Sequence, residues 1–133
     1  MEILENASLK AFNTFGIEAK AAKMVRFSSA ADLKEIFSNE ELKAMPLLIL
    51  GGGSNLLLTS DFDGLVLKNE VPGIELVGED DEYLYVKSGA GENWHEFVMH
   101  CIENNWAGLE NLSLIPGNVG ASPMQNIGAY GVE

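Results

Sequence analysis

The sequence predicts an α+β protein built from two lobes, and three observations support this. The first half alternates a short apolar strand, short amphipathic helices and a second apolar run, which is typical of a βαβ unit. Several short strands separated by turn residues follow, and then comes one capped helix. We therefore expect a small α/β lobe over residues 1–68 and the beginning of a second α+β lobe over 69–133.

The first lobe is predicted from a strand, two helices and a buried strand. Residues 24–28 form the first strand, and Ser29 is placed to cap a helix that carries Asp32 at its third position, where a carboxylate is favourable. A second helix is expected over 40–44. The apolar run at 46–50 is too short for a helix and indicates a buried strand.

The second part of the chain shows strand signals and one clear helix. Turn residues separate four candidate strands, at 56–58, 64–67, 74–77 and 84–87. The last two have the spacing of a hairpin, with the acidic run at 79–82 at its tip. Asn93 and Glu96 have the spacing of a capping box, so we expect a helix to start near Glu92 and to end before Gly108.

Composition and charge exclude several classes of function. The formal net charge is -12, with only 8 Lys and Arg residues, whereas nucleic-acid binding needs clustered cations. No apolar stretch approaches the ~20 residues that cross a bilayer, and the amino terminus carries acids where a secretory signal would carry bases. We expect no nucleic-acid partner, no membrane partner and a cytoplasmic location. The single cysteine, Cys101, agrees with a reducing compartment.

The first candidate binding motif is a run of glycines after the buried strand. Glycines tolerate positive φ and let successive backbone N–H groups converge into a nest for phosphate oxygens. A simple tight turn is the alternative. No Gly-Lys-Ser/Thr sequence occurs, and Leu56 stands where the dinucleotide fingerprint has its third glycine, so neither common phosphate loop is present. The motif consists of Gly51, Gly52, Gly53, Ser54 and Asn55.

Two further segments combine small residues with neutral polar ones. Residues 88–96 could admit a ligand, or could serve only as a turn that leads into the helix. Residues 115–131 suit a flat heteroaromatic ligand with a polar edge, or form a buried connection. No Lys or Arg follows Lys87, so a diphosphate here would be met by backbone amides, neutral side chains or residues from elsewhere. His95 and His100 are five residues apart, so we assign no metal site.

Four stretches, in their order along the chain, carry a resemblance to a known family. They are NTFGI (13–17), LILGGGSNLL (48–57), GAGENWHE (89–96) and GLENLSLIPGNVGASPMQNIGAYG (108–131). The sequence resembles the UDP-N-acetylenolpyruvoylglucosamine reductases over nearly its whole length. The resemblance implies a PCMH-type FAD-binding fold, in which a small βαβ lobe and a larger α+β lobe hold the cofactor.

The resemblance also implies which residues would contact FAD. Residues 51–55 would cradle the pyrophosphate, and a segment of the second lobe would line the pyrophosphate and the isoalloxazine ring. Tyr130 is a weaker candidate for that segment. The implied lining residues are Pro116, Gly117, Val119, Gly120, Ala121, Ser122, Gln125, Asn126, Gly128 and Ala129.

In such reductases NADPH reduces the flavin, which then reduces UDP-N-acetylglucosamine enolpyruvate to UDP-N-acetylmuramate. The serine, arginine and glutamate that act in this family belong to later segments, so no catalytic residue is assigned. We expect a fragment that lacks the substrate-binding domain, binds FAD without catalysing, and could self-associate. Two alternatives stay open: a noncatalytic nucleotide-binding or interaction module, and another PCMH-type flavin oxidoreductase.

Overall fold

The computed structural model describes residues 2–132, and the chain divides into two compact units, Met1–Glu70 and Val71–Glu133. Each unit combines helices with its own sheet, which confirms the expected α+β class. Within the described residues, no helix has the length and the apolar character needed to cross a membrane.

The first unit is built on a four-stranded sheet in the order β1-β2-β4-β3. Strand β1 runs antiparallel to β2, while β2 and β3 both run parallel to β4. The bounds are β1 Ile3–Ser8, β2 Lys20–Phe27, α1 Ala30–Ser38, α2 Glu40–Lys43, β3 Leu47–Leu50 and β4 Phe62–Asn69, with a 3₁₀ turn at Lys10–Phe12.

The two predicted helices of this unit and the predicted cap at Ser29 are confirmed. The Ser29 hydroxyl accepts from the Asp32 N–H at 3.1 Å, and the Asp32 carboxylate accepts from the Ser29 N–H at 2.9 Å, so both halves of a capping box are formed. The backbone N–H of Ser28 also donates to Asp32, and this is the main reason that the pKa of Asp32 is lowered. The two helices contribute buried Ile36 and Leu42 to the core.

Three features of this sheet differ from the prediction. Strand β1 was not predicted, because polar residues interrupt it and Asn6 adopts a positive φ of 50° that leaves it out of the pairing register. The strand predicted at 56–58 is wrong: these residues form an irregular loop, in which Leu56 and Leu58 pack on the core. The βαβ unit is split, since β4 lies between β2 and β3.

A loop after the first 3₁₀ turn is organised by one buried side chain, Asn13, which is 7% exposed. Its amide nitrogen donates to the carbonyls of Leu9 at 2.8 Å and Ile17 at 2.9 Å. Its amide oxygen accepts from the Ile17 N–H at 2.9 Å. Because a buried amide is costly when unpaired, these three bonds hold the loop in one conformation.

The Asn13 loop interlocks with the glycine run at Gly53. Gly53 is buried with φ +67°, and a Cβ placed there would lie 2.0 Å from the Phe12 carbonyl oxygen. The Thr14 N–H donates to the Gly53 carbonyl at 3.1 Å. Only a residue without a side chain fits this position, so the glycine is required both for backbone conformation and for space.

The second unit contains a hairpin, one long helix and several short turns. The predicted hairpin and helix are confirmed. Of the predicted capping box, one half is formed: Asn93 accepts from the Glu96 N–H at 3.1 Å. Asp80 accepts backbone N–H groups at the exposed acidic hairpin tip. The bounds are β5 Ile74–Glu79, β6 Leu84–Ser88, α3 Trp94–Glu103 and α4 Ser122–Gln125, with 3₁₀ turns at Glu110–Leu112 and Val119–Ala121.

The core of the second unit lies against one face of α3. Its buried residues are Trp94, Phe97, Val98, Cys101 and Leu112. The Trp94 indole N–H donates to the Leu112 carbonyl at 2.8 Å, so the one polar group of this large side chain is satisfied inside the core. This bond ties the start of α3 to the chain that follows the helix.

The close contact between Gly53 and Phe12 predicts that Gly53→Ala and Gly16→Ala lower the stability of the chain by different amounts. Gly53→Ala is expected to destabilise the chain by about 2 kcal/mol more than Gly16→Ala, because only the former drives a Cβ into backbone. Both glycines have positive φ, but nothing lies within 4 Å of a Cβ at Gly16. Denaturant unfolding of the two variants makes the comparison, and equal losses would contradict the interlock.

Candidate functional site

The glycine run lies where the parallel strands of the first unit end. It follows β3 directly, and the pairing of Leu50 with Lys68 places the carboxyl ends of β3 and β4 side by side. Ligands of α/β sheets bind preferentially outside this edge. Within the run, Gly53 is buried whereas Gly52 and Asn55 are exposed.

Two carbonyls of the glycine run accept hydrogen bonds, whereas the N–H groups of 52–55 are unpaired within residues 2–132. The Gly51 carbonyl accepts from the Lys68 ammonium at 2.8 Å, and the Gly53 carbonyl accepts from Thr14. Among residues 2–132, no acceptor pairs with the N–H groups of residues 52–55. Four successive unpaired amide donors fit a phosphate group, so this donor set is compatible with the diphosphate of FAD.

Lys68 is a residue of this site that sequence reasoning missed. It forms neighbouring pairs with Arg26 and Leu50 across the sheet, so all three side chains lie on one face. Burial lowers the pKa of Lys68; Arg26 lowers it further, while Glu70 raises it. A partly buried cation thus stands at the first glycine of the run. Only the strand register reveals this, because Lys68 is seventeen residues from Gly51 in sequence.

Arg26 brings a second positive charge to the same face of the sheet. Its guanidinium lies over the Phe12 ring at 5.3 Å from the centroid, and it pairs with Glu70 at 3.2 Å. Stacking and ion pairing hold the guanidinium in place. Arg26 is thus a second cation on the face that carries Lys68, and its charge is paired with that of Glu70.

In the second unit, the structure brings together the two other candidate segments. The Trp94 N–H donates to the Gly117 carbonyl at 3.0 Å, and the Val119 N–H donates to the Glu92 carbonyl at 2.9 Å. A Cβ at Gly120 would lie 2.6 Å from the Ala90 Cβ. The small residues of 88–96 therefore admit a neighbouring stretch of backbone, which agrees with a structural role for that segment.

The neutral polar residues of 115–131 divide into two groups. Asn118 is buried, and its amide donates to the Gly91 carbonyl at 2.6 Å, so it holds the two segments together. No hydrogen bond joins the side chains of Ser122, Gln125 or Asn126 to another group among residues 2–132. These three side chains, all implied contacts, keep their hydrogen-bonding capacity for a ligand.

A shallow cleft coincides with the end of this segment. It has a volume of about 270 Å³ and is lined by Asn126, Gly128, Ala129, Gly131 and Val132. Asn126 ends α4 with a left-handed φ of 48°, and Tyr130, at 87% exposed, points away from any core. The implied wall residues at 126, 128 and 129 thus share one surface. Gln125 lies in α4, and the other implied residues, at 116–122, lie along the stretch that pairs with 90–94.

The nucleophilic and metal-ligating side chains lie apart from the glycine-rich segments, with one exception. Cys101 is buried in the core, and burial raises the pKa of its thiol. Within residues 2–132 no three His, Cys, Asp or Glu side chains are grouped to hold a metal. The exception is His95, which lies within residues 88–96 and contacts Ser113 and Leu114, just before 115–131.

Comparison with known proteins identifies relatives along the whole chain. Residues 21–133 match the model of the FAD binding domain family. The chain is 56% identical to the UDP-N-acetylenolpyruvoylglucosamine reductase of Flavobacterium johnsoniae and 51% identical to that of Amoebophilus asiaticus, covering 100% of this chain and 39% of each relative. It therefore spans about two fifths of the length of these curated relatives.

A solved structure has the same fold. The crystal structure of UDP-N-acetylenolpyruvylglucosamine reductase from Thermus caldophilus matches 97% of this chain and 43% of that chain, with a TM-score of 0.67 and 26% sequence identity. This likeness confirms the expected α+β, PCMH-type fold. Together with the family match over residues 21–133, it shows that the chain belongs to the FAD binding domain family.

Proposed function

We propose that this chain is the FAD-binding portion of an NADPH-dependent reductase that converts UDP-N-acetylglucosamine enolpyruvate to UDP-N-acetylmuramate, a step of peptidoglycan precursor synthesis. The observation that carries the proposal is the row of unpaired amides at 52–55, in a chain 51–56% identical to reductases of that name. On this proposal the lobes predicted at 1–68 and 69–133 are the two cofactor-binding lobes; the compact units divide two residues later, after Glu70.

The diphosphate is assigned to residues 51–55, because the N–H groups of 52–55 have no acceptor among residues 2–132. The isoalloxazine ring and the adjoining phosphate are assigned to 116–122 and to Gln125, Asn126, Gly128 and Ala129. Ser122, Gln125 and Asn126 offer neutral donors and acceptors there, which suit the polar edge of a flavin. Bound FAD supplies the hydride-carrying ring, and these residues bind and orient it.

No catalytic acid is assigned within this chain, so the proposal concerns cofactor binding. The nucleotide-sugar substrate and NADPH belong to the whole reductase. We place the activity in the cytoplasm, where a buried free thiol such as Cys101 stays reduced. Through peptidoglycan synthesis, the whole enzyme would contribute to cell shape and division.

The proposal predicts that the purified chain binds FAD. Titration should quench flavin fluorescence and change the visible absorbance band, with one FAD bound per chain. Riboflavin should bind at least tenfold more weakly, because it lacks the diphosphate that the amides of 52–55 hold. A chain that is folded by circular dichroism yet leaves the FAD spectrum unchanged would refute the proposal. Binding of another nucleotide instead would favour the noncatalytic nucleotide-binding module.

Lys68 predicts a charge-dependent part of this affinity. Lys68→Met should weaken FAD binding by about fivefold to tenfold, because one charge-assisted contact near the diphosphate is removed. Riboflavin affinity should stay the same. Lys34→Met, on the exposed part of α1, is the matched control and should leave both affinities unchanged. Equal effects of the two lysine changes on FAD binding would contradict a specific role for Lys68.

A further inference from the structure

Leu114 has an unusual backbone conformation directly before the proposed flavin segment. Its φ is +65°, and its side chain is 75% exposed, so no core packing accounts for the conformation. A branched residue in the left-handed region is strained, and such strain persists where neighbouring groups hold it. Ile115 and Pro116 follow at once, so the φ of Leu114 sets the direction in which this segment leaves the core.

The group that holds Leu114 is the imidazole of His95. Its Nδ1 accepts from the Leu114 N–H at 3.3 Å and lies 2.9 Å from the Ser113 hydroxyl oxygen. Nδ1 accepts the amide proton of Leu114, and the Ser113 hydroxyl lies within hydrogen-bonding distance of the same atom. The imidazole thus contacts two consecutive residues of the chain that follows α3.

His95 stands on a rigid base. It lies in the first turn of α3, which Asn93 caps, next to Trp94, which is buried. Trp94 binds the Leu112 carbonyl while His95 binds Ser113 and Leu114. Two adjacent residues of one helix turn therefore hold three consecutive residues of the chain that follows.

The other histidine of α3 shows that this arrangement is specific to His95. The His100 ring lies against Trp106, with centroids 5.5 Å apart, and no hydrogen bond joins it to residues 113–131 within the described chain. His100 thus lies on the same helix as His95 but makes no hydrogen bond to residues 113–131. It provides the matched control for any change at His95.

We propose that His95 is a positioning residue for cofactor binding: its unprotonated Nδ1 holds Leu114 in the left-handed conformation and thereby presents residues 115–122 to the flavin. The inference rests on the proposed function, because it assigns a role in the same site. His95 itself is not assigned a contact with the cofactor. Its effect passes through the backbone of Leu114.

The experiment combines substitutions at both positions with FAD titration. His95→Leu removes the acceptor and is expected to weaken FAD binding about tenfold, since a strained residue loses its support. His95→Asn should stay within about twofold of the unchanged chain, because an amide oxygen can occupy the place of Nδ1. His100→Leu should bind FAD as the unchanged chain does.

Leu114→Gly provides the rescue that separates positioning from a general loss of stability. Glycine adopts positive φ without strain, so His95→Leu combined with Leu114→Gly should recover FAD affinity to within about twofold of Leu114→Gly alone. A double variant as weak as His95→Leu would overturn the proposal, and so would His95→Leu binding FAD normally. If His95→Leu alone does not fold, the double variant decides, since it must fold and bind like Leu114→Gly.

A second measurement keeps this inference distinct from the proposed function. The backbone coupling constant and the hydrogen exchange rate of the Leu114 amide report its φ and its hydrogen bond by NMR without any ligand. Both should change in His95→Leu but not in His95→Asn or His100→Leu. If the unchanged chain binds no FAD, the proposed function fails and the role of His95 in cofactor binding falls with it. If FAD binds but Leu114 is unaffected by His95→Leu, the positioning role alone is overturned.

Discussion

The first unit depends on the contact between the Asn13 loop and Gly53. Three hydrogen bonds from one buried amide shape the loop, and the loop then leaves no room for a side chain at Gly53. Gly53 is held with its carbonyl on Thr14, and the N–H groups of 52–55 have no acceptor among residues 2–132. A buried side-chain amide 40 residues before Gly53 thus shapes the loop against which the glycine run packs.

In the second unit, hydrogen bonds between two backbone segments hold the candidate segment 115–131 in place. Residues 90–92 and 117–120 bind each other through main-chain groups, and the close approach of Ala90 and Gly120 requires small residues on both sides. In both units the polar groups left for a ligand are mainly peptide amides and neutral side chains. Such groups bind an anion or a polar ring without requiring a cluster of cations, which agrees with a chain of net charge -12.

Prediction from sequence succeeded where the determinants are local. The cap predicted at Ser29 is formed, and Asp32 completes it to a capping box. Of the capping box predicted at Asn93 and Glu96, the half in which Asn93 accepts from the Glu96 N–H is formed. Prediction failed at β1, whose polar residues pair only because β2 is beside them, and at 56–58, where leucines at alternate positions face the core from a loop rather than from a strand. Register, bulges and loop packing depend on distant partners, which local patterns do not contain.

The sequence by itself determined the fold class, the capped helices, the glycine-rich segments and their likeness to a flavoenzyme family, because propensity, capping and motif spacing are properties of short stretches. Only the tertiary structure decided which polar groups remain available to a ligand, that Lys68 stands at Gly51, and that His95 binds Leu114. Those relations join residues seventeen and nineteen positions apart. They exist because strand register and helix packing bring such residues within hydrogen-bonding distance.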